Sequence, residues 1–273
     1  MNNTENGALR IGVVGLGAIG QSLAHQLTQG VPGCRLTAVA GRDREKTEAF
    51  AKKMGIPTAG TNVDELLEEV DVLIECAPPD VLPTILSAAL HAGKKVIVVS
   101  VGALLNLPEF LDPERKSGGQ IIVPTGALIG LDAVSAAAEG VIHSVRMVSR
   151  KPPRGLIGAP FLAQNKIDLS SLDEPLKLFD GSAREAAHGF PANLNVAVAL
   201  SLAGIGPDRT MIEVWADPTV THNTHHIKVD SDSAKLAMTI ENIPSENPKT
   251  GRITALSVTA LLRKMSAPLR VGT

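Results

Sequence analysis

The sequence predicts an α/β chain in two parts, a doubly wound parallel sheet followed by an α+β domain, and three observations predict it. The first is a glycine-patterned turn near the N-terminus, in the run Ile11-Gly12-Val13-Val14-Gly15-Leu16-Gly17-Ala18-Ile19-Gly20. The second is the alternation of continuous apolar runs with helical stretches through residues 1–124, the pattern of strands buried on both faces. The third is a change to period-two alternation in the second half, as in Val141, His143, Val145, Met147 and Ser149, which marks a sheet with one wet or partner-facing side. Together they describe a Rossmann-type sheet plus a second domain.

Each element follows from its local pattern. Leu9–Val14 reads as the opening strand, Gln21–Gln29 as the helix after the turn, and Leu36–Ala40 as the next strand at βαβ distance. Helices are predicted over Glu45–Met54, Asn62–Glu69 and Val81–Ala92, and strands over Asp71–Cys76, Lys95–Ser100 and Gln120–Val123. Beyond them, strands are predicted at Val141–Ser149, Met211–Ala216, His226–Val229 and Lys235–Ile243, with a helix over Ala192–Ala203. A last amphipathic helix spans Gly251–Lys264 and is expected to return to the first domain. The expected division is therefore 1–124 plus 248–273 for the dinucleotide domain and 125–247 for the α+β domain.

Composition narrows the function. The chain has 273 residues, 44% hydrophobic and 20% charged, enough to bury an ordinary core. Aromatic residues are only 2% and the formal net charge is −2, which argues against stacking platforms or basic surfaces for nucleic acid. No apolar run is long enough to span a bilayer, and the polar start Met1–Gly7 has no signal-peptide core. Two cysteines, Cys34 and Cys76, make no disulfide framework and fit a reducing compartment. A cytoplasmic protein is expected.

The glycine turn gives the first functional residues. Gly15 suits the tight turn, Gly17 lets backbone approach a pyrophosphate, and Gly20 lets the helix pack close to the strand. Gly15, Gly17, Ala18, Ile19 and Gly20 are the candidate cofactor contacts, because a helix N-terminus offers free N–H groups and partial positive charge to phosphate. An acidic residue at the end of the second strand commonly binds the ribose hydroxyls of NAD. Here that strand runs out through Val39-Ala40-Gly41-Arg42-Asp43. Gly41 removes the carboxylate that would repel a 2′-phosphate, and the Arg42 guanidinium can pair with one. The pattern favours NADP or dual use of NAD and NADP. Arg42 as a solvated turn residue, and Asp43 as either a ribose contact or a helix cap, remain open.

Three segments of the second half carry chemistry: Pro124-Thr125-Gly126-Ala127-Leu128-Ile129-Gly130, Phe190-Pro191-Ala192-Asn193-Leu194-Asn195-Val196, and Asp217-Pro218-Thr219-Val220-Thr221-His222-Asn223-Thr224-His225-His226-Ile227. A histidine titrating near neutrality can take a proton from water and return it to a leaving amine, and His225 is the candidate. His226, next along an extended segment, points to the opposite face. A surface histidine cluster or weak metal site is the alternative, though without cysteines or paired carboxylates these histidines make poor structural zinc ligands, and no metal is expected. Asn195 carries a donor and an acceptor suited to a carboxamide, and capping of the helix by Asn193 or Asn195 is its alternative. Arg150, Lys151 and Lys249 are cations available to hold an anionic ligand, with Thr250 at the start of the last helix. Each, taken alone, also reads as a solvated surface residue. Glu75 and Cys76 end a strand where ligands bind in such sheets, or simply terminate it.

Taken with the glycine turn, these segments resemble the L-aspartate dehydrogenase family. So do Ser149-Arg150-Lys151-Pro152-Pro153, Gly181-Ser182-Ala183-Arg184-Glu185-Ala186-Ala187 and Asn247-Pro248-Lys249-Thr250. The resemblance covers nearly the whole chain. It implies oxidation of L-aspartate with NAD or NADP to iminoaspartate, which hydrolyses to oxaloacetate and ammonia or passes to NAD biosynthesis. It further implies His225 as the catalytic histidine and Ala127 and Asn195 as nicotinamide-side contacts. His222 departs from the family's usual residue and adds a competing imidazole. The expected partner is a small dicarboxylic amino acid, with no nucleic acid or membrane, and a homodimer through the alternating sheet. The rival readings are an oxidoreductase for another amino acid, imine or sugar, and a non-catalytic dinucleotide sensor.

Overall fold

The computed structural model describes residues 7–112, 118–191, 194–245 and 251–273. The chain forms two compact units, one of residues 1–124 with 255–271 and one of residues 125–254 with 272–273.

The first unit is a parallel sheet of six strands in the order β3-β2-β1-β4-β5-β6. These are β1 (Leu9–Val14), β2 (Cys34–Ala40), β3 (Thr58–Gly60), β4 (Val72–Glu75), β5 (Lys95–Val98) and β6 (Gln120–Ile122). The order reverses beside β1, as in dinucleotide-binding sheets. Val14, Ala40, Glu75 and Val98 lie in register across β1, β2, β4 and β5, so the strands' C-terminal ends share one edge. Helix α1 (Ala18–Gly30) lays Gly20, Leu23, Ala24 and Leu27 inward. Helix α2 (Arg44–Met54) begins where the Asp43 carboxylate accepts a hydrogen bond from the Lys46 amide and ends at Gly55, which takes the left-handed conformation. Helix α3 (Leu82–His91) and the single turn α4 (Pro108–Leu111) follow.

The expected helix over Asn62–Glu69 is instead a 3-10 turn, Asp64–Glu69. Local side-chain bonds hold it tight: the Glu65 amide donates to Asn62 Oδ1, and the Asn62 carboxamide donates back to Glu65 Oε1. Strand β3 is three residues long, too short to leave a readable alternation.

The second unit holds β7 (Ile142–Lys151), β8 (Leu176–Ser182), β9 (Thr210–Ala216), β10 (Asn223–Ser231) and β11 (Lys235–Asn242), in the order β11-β10-β7-β9-β8. The β7–β9 pair is parallel and the other pairs are antiparallel. Its helices are α5 (Leu131–Ala138), α6 (Pro160–Gln164), α7 (Ala183–Gly189) and α8 (Asn195–Ala203). A stacked and edge-on trio, Phe161, Phe179 and Phe190, packs where aliphatic side chains fill the rest. One sheet face is buried through Val145, Met147, Ile212, Val214, Ile227 and Val229. The other carries charges that pair across strands, Arg146 with Glu213 and Asp180. Strand β8, part of a motif in the sequence but not read as a strand there, pairs with β9 through a register shift that interrupts its alternation.

The last helix, α9 (Ile253–Ser266), places Ala255, Val258 and Leu262 in the core with β1 and α1. Thr259 Oγ1 donates to Gln26 Oε1 at 2.8 Å, and Ser266 Oγ to the Pro32 carbonyl at 2.8 Å.

Candidate active site

The glycine turn has the shape a diphosphate requires. Gly15 has φ +97, and a Cβ there would stand 2.5 Å from the Cys76 carbonyl. A Cβ on Gly20 would run into the Gly15 carbonyl oxygen. Both glycines are therefore required by packing. Gly17 differs: a Cβ there would meet nothing within 4 Å. It is the N-cap of α1, with no side-chain cap on the helix. In the first turn Ala18 is exposed and Ile19 half-buried. A helix N-terminus without a side-chain cap is suited to an anion.

At the end of β2, a Cβ on Gly41 would lie 2.6 Å from Thr47 Oγ1, so a side chain there would have to turn that hydroxyl away from the Asp43 carbonyl it donates to. Asp43 caps α2 and pairs with Lys46. Arg44 pairs with Glu65 and Glu48. Arg42 is exposed and pairs with no described residue.

Glu75, at the end of β4, is wholly buried. Its Oε1 accepts from the Ala77 amide, and its Oε2 from the Val99 amide, the Ser100 amide and Ser100 Oγ. Desolvation pushes its pKa upward, and those four donors oppose the shift. The same loop, at Cys76 and Ala77, is the one Gly15 packs against.

In the second unit the histidine segment separates cleanly. His225 is 2% exposed and stands opposite Ser149 on β7 and Ile240 on β11. His226 alternates to the exposed face and bonds Thr239 Oγ1 at 3.0 Å, while His222 Nδ1 bonds Thr221 Oγ1 at 2.9 Å. Burial, then the charge of Lys151 and then that of His226, hold the His225 imidazole down to about 3, so its ring is neutral. Its Nδ1 has no hydrogen-bond partner, nor does the buried hydroxyl of Ser149.

Strand β7 runs two residues past its expected end and so takes in Arg150 and Lys151. Lys151 is 2% exposed, and burial lowers its pKa to about 8. Its ammonium makes no hydrogen bond or ion pair with any described residue. Arg150 alternates to the other face, where its guanidinium lies 4.6 Å over the Trp215 ring and 2.9 Å from Asp217. Desolvation works to raise the Asp217 pKa, but hydrogen bonds from Thr219 and Arg150 outweigh it and leave the carboxyl below its usual range.

Ala127 sits in the loop before α5, where the carboxamide nitrogen of Asn242 donates to its carbonyl at 2.9 Å. Asn242 carried no sequence signal beyond its place on an alternating strand; only the register with β10 shows what it holds. Asn195 is the first residue of α8, whose start has no side-chain cap. Asn193, Lys249 and Thr250 lie outside the described residues. Among the described residues no helix is long and apolar enough to cross a membrane, and no group of three His, Cys, Asp or Glu side chains is set to hold a metal.

The family model for the C-terminal part of aspartate dehydrogenase matches residues 132–265, and that for the homoserine dehydrogenase NAD-binding domain matches residues 15–124. L-aspartate dehydrogenase 3 of Bordetella bronchiseptica is 63% identical over 97% of this chain and 98% of its own length. L-aspartate dehydrogenase of Bradyrhizobium diazoefficiens is 58% identical over 100% of this chain and 97% of its own. A crystal structure of aspartate dehydrogenase from Thermotoga maritima, 23% identical, shares the fold with a TM-score of 0.76 over 97% of this chain and 99% of that one. The near-complete coverage at such identity, over both the glycine turn and the histidine strand, shows that this chain belongs to the L-aspartate dehydrogenase family.

Proposed function

We propose that the chain catalyses the reversible NAD(P)-dependent oxidative deamination of L-aspartate to iminoaspartate, which gives oxaloacetate and ammonia. The observation that carries this reading is His225: a buried, neutral imidazole with an unpartnered nitrogen, in a chain so similar to L-aspartate dehydrogenases. A bound nicotinamide dinucleotide supplies the acceptor for the hydride leaving the substrate Cα. Gly15, Gly17, Ala18, Ile19 and Gly20 hold its diphosphate, and Ala127 and Asn195 its nicotinamide side. His225 takes a proton from the water that attacks the C=N carbon and returns it to the departing nitrogen, so that ammonia leaves.

The free guanidinium of Arg42, beside a Gly41 that carries no carboxylate, supports use of NADP or of both cofactors. The alternating sheet of the second unit supports a homodimer, and a monomer in sedimentation at micromolar concentration would count against it. The activity test is NADH or NADPH formation with L-aspartate in alkaline buffer, alongside a panel of other amino acids, imines and sugars. No turnover with aspartate and either cofactor rejects this reading. Turnover that survives His225→Ala unchanged rejects only the role of that histidine.

A further inference from the structure

We propose that Lys151 receives a carboxylate of the substrate and, by doing so, allows His225 to take up its proton. This rests on the reading of the substrate as an amino diacid, and it assigns to one residue both recognition of the acid and control of the base.

The sheet register brings the two side chains together. His225 on β10 is directly opposite Ser149 on β7, and Lys151 is two residues further along the same face. Such diagonal neighbours lie within reach of a long side chain. Among the described residues, the rest of that face offers Lys151 no counter-ion. Leu236, Met238, Ile240 and Asn242 share it on β11, Thr210, Ile212, Val214 and Ala216 on β9, and Val145 and Met147 on β7. Helix α8, packed beside β9, carries no titratable residue. Asp217, just past β9, is taken by Arg150 and Thr219. His226 acts on His225 from its own strand but turns to the exposed face.

A buried ammonium without a partner is costly, and groups perturbed in this way cluster at functional sites. A carboxylate is the complementary group. Arg150, the neighbouring cation, is on the other face and already paired.

The coupling follows from charge. While Lys151 is positive and uncompensated, a proton on His225 would place two cations side by side in a buried site. A carboxylate on Lys151 removes that repulsion. The imidazole can then accept the proton as the O–H bond of the attacking water breaks and the oxygen bonds the C=N carbon. Water is thus activated only when the acid is in place.

The test uses the enzyme with oxidised cofactor and succinate, a diacid with no amine to oxidise. Histidine labelled with 13C at Cε1 reports the His225 ring by NMR, assigned through His225→Asn. Without succinate the ring stays neutral down to about pH 5, and saturating succinate raises its titration midpoint by about one unit or more. In Lys151→Met succinate produces no shift, KM for L-aspartate rises about 30-fold or more at unchanged cofactor KM, and Lys151→Arg restores part of the loss. A ring that succinate leaves unmoved in the parent enzyme overturns the proposal, whatever the variants do; so does an equal response in Lys151→Met. Aspartate turnover, read on the same samples, is independent: a succinate response without turnover removes the proposed activity and leaves the carboxylate receptor standing.

Discussion

Glu75 in the first unit and Lys151 in the second are both charged side chains buried at the C-terminal end of a strand, yet their surroundings are opposite. Glu75 accepts four hydrogen bonds from its own chain, three of them from backbone amides. The Lys151 ammonium has no partner among the described residues. A carboxylate that meets so many donors ties the ends of β4 and β5 together and is part of the fold. An ammonium with none is unfavourable until something arrives. Burial alone therefore does not distinguish a structural charge from a functional one; the inventory of partners does.

The largest effect is expected at the imidazole beside Lys151. His225→Ala should lower kcat by about 10²–10⁴-fold while cofactor affinity, followed by fluorescence titration, stays the same. Retained activity would remove the ligand-facing side of the comparison.

Next comes stability. Glu75→Leu strands the Ala77 and Ser100 amides, while Val99 keeps the Glu75 carbonyl, and should cost about 2–3 kcal/mol in denaturant melts. Lys151→Met removes an unpaired buried charge and should be neutral or stabilising by about 1 kcal/mol. The second effect depends on pH in a defined direction. The lysine is held near 8 in the folded chain against 10.5 when exposed in the unfolded chain, so the unfolded state binds its proton more readily across that window. Stability of the parent enzyme should rise from pH 8 to 10.5, and the advantage of Lys151→Met should shrink over the same interval. Equal melts for the two substitutions would dissolve the contrast.

The glycines of the turn divide the same way. Gly20→Ala forces a methyl into the Gly15 carbonyl and should lose about 1–3 kcal/mol of stability. Gly17→Ala faces open space and should melt like the parent while binding the dinucleotide more weakly. The smallest effect is expected at Arg42→Ala, which should lower preference for NADP over NAD by about tenfold in kcat/KM.

Much of the fold was legible because its signals are local. The parallel sheet showed itself as apolar runs between helices, the turn as spaced glycines, and the second sheet as alternation that separated His225 from His226. Legibility failed where a local interaction competed with the period, as at Asp64–Glu69, or where a strand was short or irregular, as at β3 and β8. Arg150 and Lys151 looked alike as adjacent cations. Their difference depends on Asp217, which lies 67 positions from Arg150, and on which face each residue takes once β7 is extended.

The sequence by itself determined the two-part architecture, the glycine turn and the opposite faces that His225 and His226 take, since periodicity and backbone freedom are properties of neighbouring residues. Only the tertiary structure decided which buried charges are satisfied. That depends on strand register between distant segments, where a single side chain's partners come from parts of the chain that no local pattern connects.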